Sequence, residues 1–572
     1  MYLCMNKKFA FRIRLLLIVI VCIAIVFVVK LFQVQVVQHE YFLDRADRQY
    51  VRPNYSIFDR GSIFFTTRDG DKVPAAKVNH GFLMAIRPSQ ITNPQDTYNK
   101  LNEIVEIDEE RFLSSASKKD DPYEEILDRI SIKDKDKIVE LDIDGVSLYK
   151  KSWRHYPADE RAASTIGFLS YNKDDELSAQ YGLERYYNDT LTRDTDNVYV
   201  NFFVEIFTSF KDTVINGSER PGDIVTTIEP TVQSTLEKEL EDIYEQYSSK
   251  SVGGIVMDPN NGEIVAMGSY PNFNLNEYGK ASLDVLSNPI VENVYELGSI
   301  VKPLTVAIGL DSGKITPNTT YNDTGFRELN GYTFWNYDKK ARGIVDMQEI
   351  LNNSLNIGVA HIAIDKVGGK KFKEYMLKLI GEETGIDLPH EQAPLVSNLN
   401  SGKDIEFATA SFGQGIALTP IVMIRALSAL ANGGYLVDPH IVSEIEYEVG
   451  PKKVVSFPKP EQVFSNDTSE KISRMLVNVV DDALLGGTVS KERYSIAAKT
   501  GTAQLVDESG GYSEDNYLHS FFGYFPAYDP KFIILLYTLE PKGEDYASHT
   551  LTMPFINITD FLLNYYNIPP DR

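Results

Sequence analysis

The sequence predicts an α/β protein of the α+β type, with an antiparallel sheet flanked by helices, an elongated N-terminal pedestal module before it and one transmembrane helix at the start. Three observations carry this expectation. An unbroken apolar run opens the chain. Strand-like runs after residue 222 include a tight hairpin and are flanked by amphipathic helices. A length of 572 residues exceeds one ordinary core and calls for two or more domains.

The first element is the apolar run. Lys7, Lys8, Arg12 and Arg14 precede it, it extends unbroken from Leu15 to Val29, and Leu31 and Phe32 continue it past Lys30. A helix over residues 15–34 reaches about 30 Å, one bilayer core. Lys30 can snorkel to the outer interface while the preceding positive charges stay cytoplasmic. A cleaved signal peptide is the alternative, but no A-x-A-like site follows the run. The chain thus reads as a cytoplasmic tail (1–14), a single-pass signal anchor in the cytoplasmic membrane and in contact with its lipid bilayer (15–34), and residues 35–572 outside.

Residues 1–34 hold five basic and no acidic residues, so a total net charge of −24 becomes −29 for residues 35–572. Such an exterior argues against a nucleic-acid partner. Cys4 and Cys22 both fall in the anchor region, which leaves the exterior without a disulfide. The eight histidines show no His-x-x-x-His or Cys-rich spacing, so neither a metal site nor a cofactor is expected. His519 reads as a packed histidine rather than a catalytic one.

Residues 35–222 show only broken strand and helix patterns and form the pedestal. A boundary near Pro221-Gly222 opens the domain of residues 223–572, where Asp223 to Ile228 reads as a strand. An amphipathic helix follows, with Val232, Leu236, Leu240, Ile243, Tyr244 and Tyr247 on one face. A hairpin runs from Gly253 to Asp258, turns through Pro259-Asn260-Asn261-Gly262 and returns from Glu263 to Ser269. Strands at 521–525 and 532–540 and a helix near 555–566 complete the domain.

Within that domain, three motifs supply the parts of a serine acyl-transfer site: Ser299-Ile300-Val301-Lys302, Ser354-Leu355-Asn356 and Lys499-Thr500-Gly501-Thr502. Ser-x-x-Lys alone is weak, since it recurs at Ser115/Lys118, Ser147/Lys150 and Ser456/Lys459, and Ser170-Tyr171-Asn172 repeats the second pattern. Surroundings separate them. Ser115/Lys118 and Ser456/Lys459 read as surface loops, and Ser147 lies on a strand-like run where residues three apart face opposite sides. Ser299 instead opens a helical pattern (Val301, Leu304, Ile308) with Pro303 tolerable in the first turn. Lys302 then shares its face, and the helix end and partial burial favour the neutral amine that can accept the serine proton. Ser354 and Asn356 sit where a helical run breaks, projecting a hydroxyl and an amide. Around Lys499 the small residues suit a strand edge, Gly501 leaves room for a ligand, and Thr500 and Thr502 beside the Lys499 ammonium suit a carboxylate.

In this order the motifs resemble those of class B penicillin-binding proteins, membrane-anchored peptidoglycan D,D-transpeptidases. The flanks agree: Gly254 to Met267, Phe412-Gly413-Gln414-Gly415, Ala431-Asn432-Gly433-Gly434 and Ser520 to Pro526. Asp59-Arg60-Gly61-Ser62-Ile63 and Gly182-Leu183-Glu184-Arg185 resemble signatures of the family's N-terminal module, where Arg60 and Glu184 read as structural. Glu296-Leu297-Gly298-Ser299 stands where relatives often have Glu-Pro-Gly-Ser, and Leu355 where they have serine.

The resemblance implies the penicillin-binding transpeptidase fold with a dimerisation-type pedestal. It implies catalytic Ser299, Lys302, Ser354, Asn356 and Lys499, with Thr500, Gly501 and Thr502 binding substrate. The partners it implies are peptidoglycan stem peptides, β-lactam antibiotics and a membrane glycosyltransferase that polymerises glycan, an activity absent from this chain's motifs. Its pathway is septal division or lateral elongation, and overall length with a compact pedestal leans slightly toward the septal branch by analogy. A serine β-lactamase and a non-catalytic penicillin-binding sensor or scaffold are the alternatives.

Overall fold

The computed structural model describes residues 59–171, 177–193, 220–448, 450–506 and 511–572. The expected tail and anchor, with both cysteines, lie outside the described residues. Among the described residues, no helix is long and apolar enough to cross a membrane.

Two compact units emerge, and residues 80–152 form the smaller. In it the strand Glu124–Ile130 pairs antiparallel with residues 82–86, Phe82 opposite Ile130 and Ile86 opposite Glu124. Three nine-residue helices, Pro94–Asn102, Glu109–Ser117 and Ile132–Glu140, begin where Asn93, Asp108 and Ser131 accept the backbone N–H three residues on. Met84, Ile86, Leu101, Phe112, Ile126 and Ile138 close the core between them. Ser115 is buried in the last turn of Glu109–Ser117, a correction to the surface loop expected there, because its hydroxyl and the Lys118 amine both bond Glu124. Ser147 and Lys150 lie on the strand Val146–His155.

Residues 59–79 and 153–572 form the larger unit. The strand Ile63–Thr66 pairs in parallel with Gly222–Thr226, which pairs antiparallel with Val442–Tyr447, so the segments on both sides of 222 share one sheet. Arg60 and Glu184 join this unit internally. The buried Glu184 carboxylate accepts from Arg60 Nε at 2.7 Å and Arg154 Nε at 2.6 Å, and Arg154 also donates to the Gly61 carbonyl.

The main sheet has five antiparallel strands. In chain order they are β1 (Ser251–Met257), β2 (Ile264–Tyr270), β3 (Ala497–Val506), β4 (Tyr512–Phe525) and β5 (Phe532–Leu539), arranged β3-β4-β5-β1-β2. The hairpin β1–β2 sits where the sequence places it. Both faces of β1, β2 and β5 are largely buried, which makes these strands nearly continuous apolar runs rather than alternating ones. Val252, Val256, Phe521, Phe525, Ile534 and Leu536 face one core with helix α1 (Pro230–Tyr247) and the C-terminal helix Thr552–Tyr565. Ile255, Met257, Phe522, Tyr524, Ile533 and Leu535 face the other, which holds the helix Pro420–Ala431. On α1, Val232, Leu236, Leu240 and Ile243 are the buried stripe, as their spacing predicts.

Candidate active site

Strand β3 ends the sheet, so its outer edge is free to meet other backbone. The turn carrying Ser299 lies against that edge. Residues Gly298–Val301 form a 3₁₀ turn that passes into helix α2 (Lys302–Asp311) with Pro303 in its first turn. The sequence predicts one helix from Ser299; the tighter start brings residues three apart into eclipse, which sets Ser299 and Lys302 on one side. Gly298 has φ 63°, and a Cβ there would lie 3.0 Å from the Thr502 carbonyl. Across the contact, a Cβ on Gly501 would lie 2.4 Å from Ser520 Oγ and 2.8 Å from the Leu297 carbonyl. Ser520 Oγ donates to that same carbonyl at 2.7 Å, tying β4 to the turn. Room at Gly501 is thus taken by the serine turn itself.

Ser354 follows α3 (Met347–Asn352) and precedes α4 (Asn356–His361). Its φ is 52°, an uncommon conformation for a residue with a side chain. Lys302 Nζ donates to both Ser354 oxygens, at 3.1 Å for Oγ, and Lys499 Nζ reaches the same Oγ at 3.1 Å and the Thr500 carbonyl at 3.0 Å. Among the described residues, Lys302 hydrogen-bonds Ser354 and not Ser299.

Both amines are buried, Lys302 at 1 % exposure and Lys499 at 3 %. Burial, then the neighbouring Lys499 charge, pushes Lys302 well below the ordinary lysine range. Burial takes Lys499 down to about 8. Full burial and a second amine thus favour the neutral form of Lys302, stronger causes than the helix end and partial burial alone.

The remaining expected residues fall around this centre. Asn356 Nδ2 donates to the Trp335 carbonyl at 2.9 Å. Thr500 and Thr502 are half-buried on β3, and Thr502 Oγ1 accepts from the Ala547 N–H at 3.2 Å. Leu355 is fully buried and points into the core. His519 lies opposite Thr502 on β4, fully buried with Nδ1 3.0 Å from Thr550 Oγ1, and burial pushes it down to about 4, so it is neutral.

Two features carry no sequence signal of their own. Glu296 accepts from Tyr512 Oη and the Gly415 N–H, each at 2.9 Å, linking the start of β4 to the residues before Ser299. Asn336 touches the backbone just after Asn356, at Ile357. Asn336 belongs to no motif, and although Glu296 opens the Glu296-Leu297-Gly298-Ser299 signature, sequence separation hides the contacts of both.

Comparison with known proteins agrees with the geometry. The model of the penicillin binding protein transpeptidase domain matches residues 252–558, and that of the penicillin-binding protein dimerisation domain matches 59–200. The chain belongs to the penicillin-binding protein transpeptidase family. Stage V sporulation protein D of Bacillus subtilis is 30% identical over 539 residues, covering 92% of this chain and 81% of that protein. Peptidoglycan D,D-transpeptidase FtsI of Escherichia coli is 26% identical over 443 residues, covering 76% of this chain and 71% of that one. Penicillin binding protein 2X from Streptococcus thermophilus shares the fold with a TM-score of 0.69 at 20% identity, over 90% of this chain and 81% of that chain.

Proposed function

We propose that the protein is a peptidoglycan D,D-transpeptidase that crosslinks stem peptides through a serine acyl-enzyme and is acylated by β-lactams. The observation that carries this reading is the convergence of Lys302 and Lys499 on Ser354 beside the Ser299 turn. Ser299, deprotonated by Lys302, attacks the carbonyl between two D-alanines of a stem peptide. The oxyanion is held by the backbone N–H groups of Ser299 and Thr502, about 3–4 kcal/mol for each donor. Ser354, flanked by both amines, relays the proton to the departing D-alanine. Lys499, kept cationic, grips the donor's terminal carboxylate with Thr500 and Thr502, while Asn356 binds the peptide. The amine of a neighbouring stem then attacks the ester, releases Ser299 and forms the crosslink.

The anchor at 15–34 holds the catalytic domain, residues 223–572, outside the cytoplasmic membrane, with residues 35–222 as its pedestal. This chain polymerises no glycan, so a membrane glycosyltransferase supplies the strands. Its role lies in cell-wall synthesis during division or elongation. Labelling with a fluorescent penicillin tests the assignment: wild type forms a covalent adduct and Ser299→Ala does not. An adduct on Ser299→Ala would overturn it, and rapid release of hydrolysed penicillin would mark a β-lactamase instead.

A further inference from the structure

We infer that Asn336, oriented by Asp323, is a positioning residue for the Ser354–Asn356 segment during acyl transfer, an inference that rests on the catalytic reading of that segment. Helix α4 starts without a cap of its own. Its N-cap is Leu355, whose apolar, buried side chain accepts no hydrogen bond from the first-turn N–H groups. Another part of the chain fills this role: Ile357 N–H donates to Asn336 Oδ1 at 3.2 Å. The adjacent Trp335 carbonyl holds the Asn356 amide. Consecutive residues thus fix both the side chain that ends the motif and the backbone that follows it.

Asp323 decides which way the Asn336 amide faces. Asn336 Nδ2 donates to both carboxylate oxygens at 3.0 Å, which turns Oδ1 toward Ile357. The opposite orientation would set two donors against each other at Ile357 and two acceptors at Asp323. Both side chains are 1 % exposed, so a misdirected polar group there would have no water to turn to. Asp323 is itself held by the Arg342 N–H at 2.9 Å and Tyr321 Oη at 3.2 Å, at the end of the strand Thr320–Asp323, which pairs with Gly343–Asp346. The chain of bonds therefore runs from a paired strand through Asp323 and Asn336 to the start of α4. There Ser354 keeps its φ of 52° and presents both oxygens to Lys302. An unfavourable conformation of this kind persists only where its surroundings over-determine it.

The limiting rate of acylation by a fluorescent penicillin, measured at saturation with the thermal midpoint of each variant, tests the inference. Asn336→Ala is expected to slow acylation by about 100-fold while the complex still saturates, since small misplacements of reacting groups cost that much. Asp323→Asn keeps the shape and is expected to lose about tenfold. Because Asp323 acts through Asn336, the double variant should be no slower than Asn336→Ala alone; independent structural contributions would instead multiply to about 1,000-fold. Wild-type acylation in a folded Asn336→Ala, or multiplied losses in the double variant, overturns the inference. Should Asn336→Ala not fold, Asp323→Asn decides alone, and a wild-type rate in it is equally fatal. A wild-type protein that penicillin does not acylate would sink the transpeptidase reading itself, a separate outcome.

Discussion

Lys302 and Lys499 present their side-chain nitrogens to one hydroxyl, that of Ser354, each at 3.1 Å. Two buried amines sharing an acceptor cannot both hold a proton cheaply. Lys302 is lowered by burial and by Lys499, and Lys499 by burial alone. On the proposed reading the pair divides the work, with Lys302 as the base and Lys499 as the cation that meets a carboxylate.

Acylation of Ser299 should weaken as pH rises through about 8, where Lys499 loses its proton. Its neutral form no longer attracts the carboxylate, whereas Lys302, the proposed base, is already lowered well below the ordinary lysine range. Lys499→Arg keeps a charge at all accessible pH and is expected to lose the alkaline limb. The pH profile of penicillin labelling in both proteins measures this, and a limb that survives in the arginine variant would belong to another group.

Ser354→Ala removes the hydroxyl that accepts from both amines. Loss of a positioned proton carrier is expected to slow acylation by about 100-fold or more. Stopped-flow labelling should show the loss in the acylation step, with reversible penicillin binding retained.

Gly501→Ala brings a methyl group to 2.4 Å from Ser520 Oγ and 2.8 Å from the Leu297 carbonyl. The serine turn and β3 must separate to admit it, costing about 1–3 kcal/mol. Both a lower thermal midpoint and slower labelling are expected, and unchanged labelling would mean that this contact does not set the reactive geometry.

Glu184→Gln leaves Arg60 and Arg154 buried without their carboxylate. Breaking such a site is expected to cost about 3–5 kcal/mol, read as a fall in the unfolding midpoint. Burial raises the Glu184 carboxyl, but Arg154 and Arg60 outweigh it and leave it lowered. Its stabilisation is therefore present above the ordinary glutamate range and lost as pH falls through the depressed folded value. The gap between wild type and variant should close in acid.

Much of the site was legible because its motifs are local. Ser299 and Lys302 are three residues apart, and a helical turn alone puts them on one side. Strands β1, β2 and β5 and helix α1 were readable from apolar spacing, since each buries a face that its own sequence defines. The link between Glu296 and Tyr512 was not, because 216 residues separate them. Nor was the bond from Asn336 to Ile357, which joins residues 21 apart.

The sequence by itself determined the three motifs, the hairpin, the amphipathic helices and the family likeness, all matters of residue type and short spacing. Only the tertiary structure decided that Lys302 bonds Ser354 and that Lys499, 145 residues from Ser354, shares its hydroxyl. Only it decided, too, that the strand Gly222–Thr226 pairs with Ile63–Thr66 across the expected boundary. The physical reason is that such contacts depend on sheet register and on which buried faces meet. Those are settled by the packing of the whole core and not by the preference of any one segment.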